Sequence, residues 1–140
     1  MPNGRTHTAA TVMLAVGTLP LANPPLTAGV LSGLILSPDL DVDDGFIGLA
    51  HLRRIGYIGG LLAGFWRAFW YPYSKIVPHR SHISHSVFFG TALRVGYLAI
   101  PLLALSFFVH IPVKSWVGIW FIGLCLSDAL HIFMDYFKKG

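Results

Sequence analysis

Carboxylate residues are concentrated in a few short segments of this sequence. All six acidic residues are Asp, and four of them lie between positions 39 and 44. Carboxylates at alternate positions, such as Asp39 and Asp41, repel each other unless a cation lies between them. The spacing is similar to the start of a calcium loop, but no Glu closes that loop, so an EF-hand is excluded. Asp39 and Asp41 lie closest to the preceding apolar segment and are the better ligand candidates. Asp43 and Asp44 are expected to be solvated or to support the ligands without binding the metal themselves. The alternative is a solvated acidic turn that caps a helix.

A second segment combines imidazoles with a guanidinium group. His79, His82 and His85 fall within seven residues, and Arg80 lies among them. Neutral imidazole is the most common nitrogen ligand for zinc, iron or manganese. Arg80 and the neighbouring serine hydroxyls could hold a phosphate or another anion. The alternative is that these side chains extend to the headgroup level of a membrane.

The third group is Asp128, His131 and Asp135, whose spacing places the three residues within about 60° on one helical face. Ionisable residues inside an apolar segment are costly and indicate a functional site. His131 and Asp135 are spaced to bind one metal from adjacent turns, whereas Asp128 is predicted to accept a proton or to orient a ligand histidine. The alternative is a buried hydrogen-bonded pair that braces the helices. His7 is a weaker candidate near the N-terminus.

The rest of the sequence indicates a membrane protein. Hydrophobic residues make up 54% of the chain and charged residues only 11%, with a mean hydropathy of +0.65. A soluble domain has about a quarter of its residues charged, so we predict a single all-α membrane domain over residues 1–140. The net charge is +4, but the basic residues flank apolar segments, so no nucleic-acid partner is expected. Cys125 is the one cysteine, which excludes a disulfide framework.

Four apolar stretches predict the helices that position these groups. The first two are shorter than the roughly 20 residues that a membrane span requires. They form a short hairpin, thin the bilayer locally or are partly re-entrant, and an Asn-Pro-Pro sequence separates them. The last two are long enough to span. The predicted helices cover residues 8–22, 26–37, 86–109 and 116–137.

The segment from about 43 to 80 mixes aromatic and basic residues, which favours the headgroup interface. We predict a helix over about residues 55–71 that lies on the membrane surface. The alternative is a helix packed against the bundle, because Gly56, Gly60 and Gly64 would permit close helix contact.

Passing the chain back and forth through the bilayer brings all six Asp residues and six of the seven His residues to one side. Most Lys and Arg residues lie on the same side, so the positive-inside rule predicts that this side, with both termini, is cytoplasmic. The expected location is a bacterial inner membrane. No small-residue cleavage site follows the first apolar stretch, so a signal peptide is not expected.

The motifs Gly-Arg-Thr-His, Ser-Pro-Asp-Leu-Asp, His-Arg-Ser-x-x-Ser-His and His-x-x-x-Asp, in this order, closely resemble the DUF2227 family of uncharacterised metal-binding membrane proteins. The sequence is also similar to the YdjM-like (DUF457) inner-membrane proteins, which are named as metal-dependent hydrolases. The resemblance spans nearly the whole chain and places His82 at a variable position. The metal-site residues that it implies are His7, Asp39, Asp41, His79, His85, His131 and Asp135.

These features predict a metal-dependent hydrolase at the cytoplasmic membrane face that acts on a phosphoester or a lipid-linked substrate. One or two divalent ions, with zinc expected before manganese, iron or magnesium, would polarise the ester and activate water. Arg80 would offset phosphate charge and Asp128 would accept a proton. The alternative is a non-enzymatic protein, a sensor or scaffold, in which the metal joins the helix ends. A transporter is less favoured because the far side offers few polar residues. No oligomeric state is predicted.

Overall fold

The structure is a computed structural model that describes residues 4–38, 54–77, 81, 86–109 and 115–137. Within these ranges all regular structure is helical, which confirms the predicted all-α class. A 3₁₀ turn at Leu19–Leu21 accompanies five α-helices. The helices are α1 (Gly4–Thr18), α2 (Pro24–Ser32), α3 (Tyr57–Ile76), α4 (Phe89–Ser106) and α5 (Trp116–Phe137).

Two of these helices, rather than the four apolar ones predicted, are long and apolar enough to cross a membrane. They are α4, with 18 residues, and α5, with 22 residues. Only 17% of α4 and 28% of the most apolar stretch of α5 are buried within the protein. By contrast, α1 has 15 residues and α2 has nine, which is too short for a full span. The helix predicted over 26–37 is shorter in the structure. It ends at Ser32, and the chain continues from there as turns.

A tight hairpin connects α1 to α2. The 3₁₀ turn Leu19–Leu21 follows α1, and the side chain of Asn23 then caps α2 by accepting a hydrogen bond of 3.2 Å from the Leu26 amide. Prolines at the first two positions of α2 suit a helix start, where the amide groups have no helical partner. The hydroxyl groups of Thr18 and Thr27 lie 2.8 Å apart and join the two helices.

Small residues allow α2 and α5 to cross at close range. A Cβ atom added to Gly29 would lie 2.0 Å from the carbonyl oxygen of Trp120, and one added to Gly123 would lie 2.2 Å from a backbone oxygen of α2. One turn further along, a Cβ atom on Gly33 would lie 2.0 Å from the hydroxyl oxygen of Ser127. Only residues without a side chain fit at such a crossing, so this contact fixes α2 against α5.

Aromatic side chains connect α3 to the other helices. Trp70 and Tyr73 are buried in a core that also contains Leu124 of α5. The hydroxyl group of Tyr97 on α4 donates a 2.6 Å hydrogen bond to the backbone carbonyl of Phe69. These contacts show that one face of α3 packs against the bundle.

The packing of α3 matches the alternative of a helix against the bundle, but the glycines expected to permit that contact do not form it. A Cβ atom added to Gly60 or Gly64 would meet nothing within 4 Å, and Gly56 precedes the helix with a positive φ of 84°. The face of α3 that points away from the bundle exposes large apolar side chains, among them Ile58, Leu61 and Phe65. The helix therefore combines a packed aromatic face with an exposed apolar face.

Candidate metal centre

Residues from opposite ends of the described chain meet at one end of the helix bundle. His7 lies in the first turns of α1, whereas His131 and Asp135 lie in the last turns of α5. Nε2 of His7 is 3.2 Å from Oδ1 of Asp135, and Nε2 of His131 is 3.6 Å from Oδ2 of the same carboxylate. The two imidazole rings stack with their centroids 3.9 Å apart. The carboxylate of Asp135 thus faces two ring nitrogens.

The helix arrangement explains how these groups meet. His131 and Asp135 are four residues apart and therefore lie on neighbouring turns of one face of α5. His7 reaches them because the hairpin returns α1 beside α2, which is fixed on α5 by the glycine crossing described above. His7 is 9% exposed and His131 is 7% exposed, whereas the side chain of Asp135 is 23% exposed. The group is therefore enclosed on the histidine side and accessible on the carboxylate side.

The donor atoms fit a metal ion in chemistry and in spacing. One ligand atom from each of His7, His131 and Asp135 lies within 4.8 Å of the others. Nε2 of His7 and Nε2 of His131 lie 3.2 Å and 3.6 Å from the two different oxygens of the Asp135 carboxylate. Both distances are close to the separation of about 3.4 Å expected between two ligands at 2.0–2.1 Å from a tetrahedral ion. Two imidazoles with one carboxylate are suited to zinc, iron and manganese.

The structure brings together three of the seven predicted ligands, namely His7, His131 and Asp135. Several residues of the predicted site lie outside the described residues. They are the other four predicted ligands, Asp39, Asp41, His79 and His85, the predicted catalytic Arg80, and the neighbouring Asp43, Asp44 and His82.

Asp128 does not belong to this group of donor atoms but lies in a buried polar cluster between α4 and α5. Arg94 donates to Oδ2 of Asp128 through Nη2, and the two side chains are each 1% exposed. The hydroxyl of Thr91, fully buried, donates to the same oxygen. The guanidinium of Arg94 is therefore engaged with the carboxylate of Asp128.

Sequence reasoning did not identify this cluster, although a pattern that predicts it was present. Arg94 is the one charged residue in its apolar stretch, and Asp128 lies in the middle of the next apolar stretch. Charges in such segments usually pair with one another, so the two could have been matched. Nothing in the sequence pattern marked Thr91.

Comparisons with known proteins agree with the proposed chemistry. A family model described as an uncharacterized metal-binding protein, DUF2227, matches residues 2–120. The match includes His7 and the two polar segments at 39–44 and 79–85, and it ends before His131 and Asp135. No curated protein and no solved structure matches the chain. These comparisons do not show the expected similarity to YdjM-like proteins.

Proposed function

The chain belongs to the DUF2227 family of uncharacterized metal-binding proteins, and on this premise we propose that it is a metal-dependent hydrolase of phosphoesters at a membrane surface. Its metal ion is held by His7, His131 and Asp135. The observation that carries the proposal is the convergence of these three donors from the two ends of the chain to within 4.8 Å.

The burial of the donors supports a bound cation. Asp135 lies at a mostly enclosed position between two imidazoles, and a divalent ion would offset the cost of removing its carboxylate from water. Two nitrogen donors make a transition metal a better partner than magnesium, which prefers oxygen ligands. We therefore propose zinc first, with manganese and iron as the other candidates.

The type of donor set supports catalysis. Closed structural zinc sites are built largely from cysteine, whereas two histidines and a carboxylate are typical of catalytic sites that leave a position for water or substrate. A divalent ion there supplies Lewis-acid activation of an ester and of water. The exposed edge of Asp135 would admit the substrate, and Arg80, beside the predicted ligand His79, would bind the phosphate charge.

The exposed apolar surfaces support a membrane-associated substrate. The helices α4 and α5 could cross a bilayer, and the apolar face of α3 would lie in the interface. The excess of Lys and Arg on the side that carries His7 favours a cytoplasmic site. A lipid-linked phosphoester would reach a metal centre near the membrane surface directly from the bilayer.

Metal analysis of the detergent-purified protein tests the proposed ligands. We expect about one zinc, manganese or iron ion per chain. In His131→Ala and His7→Ala the metal affinity should fall at least about 100-fold, which exceeds the loss typical when a residue that only supports a ligand is replaced. His110 is the one histidine that the predicted topology places on the opposite side of the membrane. His110→Ala is therefore the matched control and should bind metal like the unmodified protein. Equal affinity in all four proteins would refute the assigned ligands.

A second assay tests hydrolysis. Protein loaded with metal is incubated with vesicles of phosphatidic acid in phosphatidylcholine, and separately with bis(p-nitrophenyl) phosphate, and product release is measured. We expect metal-dependent turnover that is lost in His131→Ala while the circular dichroism spectrum is unchanged. Tight metal binding and metal-dependent thermal stabilisation without turnover on either ester would instead support the non-enzymatic alternative.

A further inference from the structure

The polar cluster between α4 and α5 contains an acceptor that the helix contacts do not use. Arg94 and Thr91 both bind Oδ2 of Asp128. The other carboxylate oxygen, Oδ1, is fully buried and has no hydrogen-bond partner among the described residues. Buried acceptors are seldom left without a donor, so this oxygen indicates a further interaction.

The position of Asp128 relates this oxygen to the metal centre. Asp128 lies three residues before His131, so the two side chains are neighbours on one face of α5, with Cβ atoms about 5–6 Å apart. Histidines that bind metals usually donate their second ring nitrogen to a carboxylate, a carbonyl or a water, and this contact fixes the ring and raises its basicity.

We infer that Asp128 is a positioning residue for the ligand His131. Its Oδ1 accepts a hydrogen bond from the imidazole, directly or through one buried water, when the metal is bound. Arg94 and Thr91 hold the carboxylate in place through Oδ2, and Arg94 also balances its charge. This inference rests on the metal centre proposed above and gives α4 a role in it, although α4 supplies none of the ligands within the described residues.

A purely structural role for the pair makes a different prediction. If Arg94 and Asp128 only held α4 against α5, apolar residues of similar volume would replace them without effect on the metal, because such replacements of buried ion pairs are often neutral or stabilising. If Asp128 positions His131, the same replacement would leave the fold intact but alter the metal centre.

Two double variants separate these roles. In Arg94→Met/Asp128→Leu the acceptor is lost together with both charges, whereas Arg94→Met/Asp128→Asn keeps an acceptor oxygen without the charge. The readouts are the affinity for zinc, measured by competition with a chelator, and the visible absorption of the cobalt-substituted protein. We expect the leucine variant to bind zinc about 10–100-fold more weakly with shifted cobalt bands, and the asparagine variant to recover most of both.

Zinc affinity and cobalt spectra that are unchanged in both double variants would overturn the inference. Thr91→Val keeps the ion pair and removes one contact to Oδ2, so it provides the test if a double variant does not fold. We expect it to weaken zinc binding measurably, and unchanged binding would again count against Asp128. Measurement of His131→Ala in parallel distinguishes the two proposals. If His131→Ala binds zinc like the unmodified protein, the proposed metal centre is wrong. If His131→Ala loses zinc affinity but the Asp128 and Thr91 variants do not, only the role of Asp128 is refuted.

Discussion

The close crossing of α2 and α5 predicts that one added methyl group, in Gly29→Ala, forces the two helices apart. In Gly29→Ala the new Cβ would lie 2.0 Å from the carbonyl oxygen and 2.9 Å from the carbonyl carbon of Trp120. Both atoms belong to the backbone, so no side-chain rotation relieves the overlap. A normal contact requires about 1 Å more, which the helices gain only by moving apart.

The expected cost follows from two opposing effects. Overpacking of a close contact costs about 1–3 kcal/mol, whereas replacing a helical glycine by alanine contributes about 0.5–1 kcal/mol of stability. Gly29→Ala should therefore destabilise the protein by about 1 kcal/mol, within a range of about 0–2.5 kcal/mol set by these two effects. Gly60→Ala in α3 is the matched control, because its Cβ would meet nothing within 4 Å. It should stabilise by about 0.5–1 kcal/mol.

Denaturant unfolding in detergent, followed by circular dichroism, measures both variants against the unmodified protein. The opposite signs are the essential result, because helix propensity alone would make both variants more stable. Gly29→Ala should also weaken metal binding, since α2 holds the hairpin that carries His7. A Gly29→Ala protein as stable as Gly60→Ala would refute the close crossing.

Three further predictions concern the buried polar contacts and the metal. Trp120→Phe removes the 2.9 Å hydrogen bond from the indole to the hydroxyl of Ser32 and should cost about 1 kcal/mol in the same unfolding assay. Arg94→Met alone leaves the carboxylate of Asp128 buried without its cation and should cost about 3–5 kcal/mol, so a single variant as stable as Arg94→Met/Asp128→Leu would contradict the ion pair. Free zinc at 100 times its dissociation constant should stabilise the unmodified protein by about 2.7 kcal/mol, and a chelator should reverse this effect. The same zinc concentration should stabilise His131→Ala by no more than about 0.4 kcal/mol, because its affinity is expected to be at least about 100-fold lower.

The candidate metal centre could be predicted in part because its chemistry is local in the sequence. His131 and Asp135 are four residues apart on one helix, and helical periodicity alone makes them neighbours. The proximity of His7 depended on a topological argument, that the first helix begins where the last one ends. The sequence contains nothing that predicts the stacking of the His7 and His131 rings, because that contact depends on the angle between α1 and α5.

The close helix contact forms at other glycines than those that the sequence offered for the packing of α3. Gly60 and Gly64 are spaced like an interface but face open space, whereas Gly29 and Gly33 have the same spacing and lie at the close crossing. Spacing shows that a helix has a small-residue face but not that another helix covers it. The partner of that face, which includes Gly123 on α5, is distant in the sequence and becomes apparent only from the structure.

The helix order suggests why the donors occur at the two ends of the chain. His7 contacts α5 at the end of the bundle, while the remainder of α1 is held by the hairpin to α2. The distance from His7 to His131 is therefore set by two contacts, the glycine crossing and the contacts among His7, His131 and Asp135. Because both act on the same separation, their effects on stability should couple rather than add. A bound ion would hold the first helix on the last, and the crossing would bring the donors together before the ion binds.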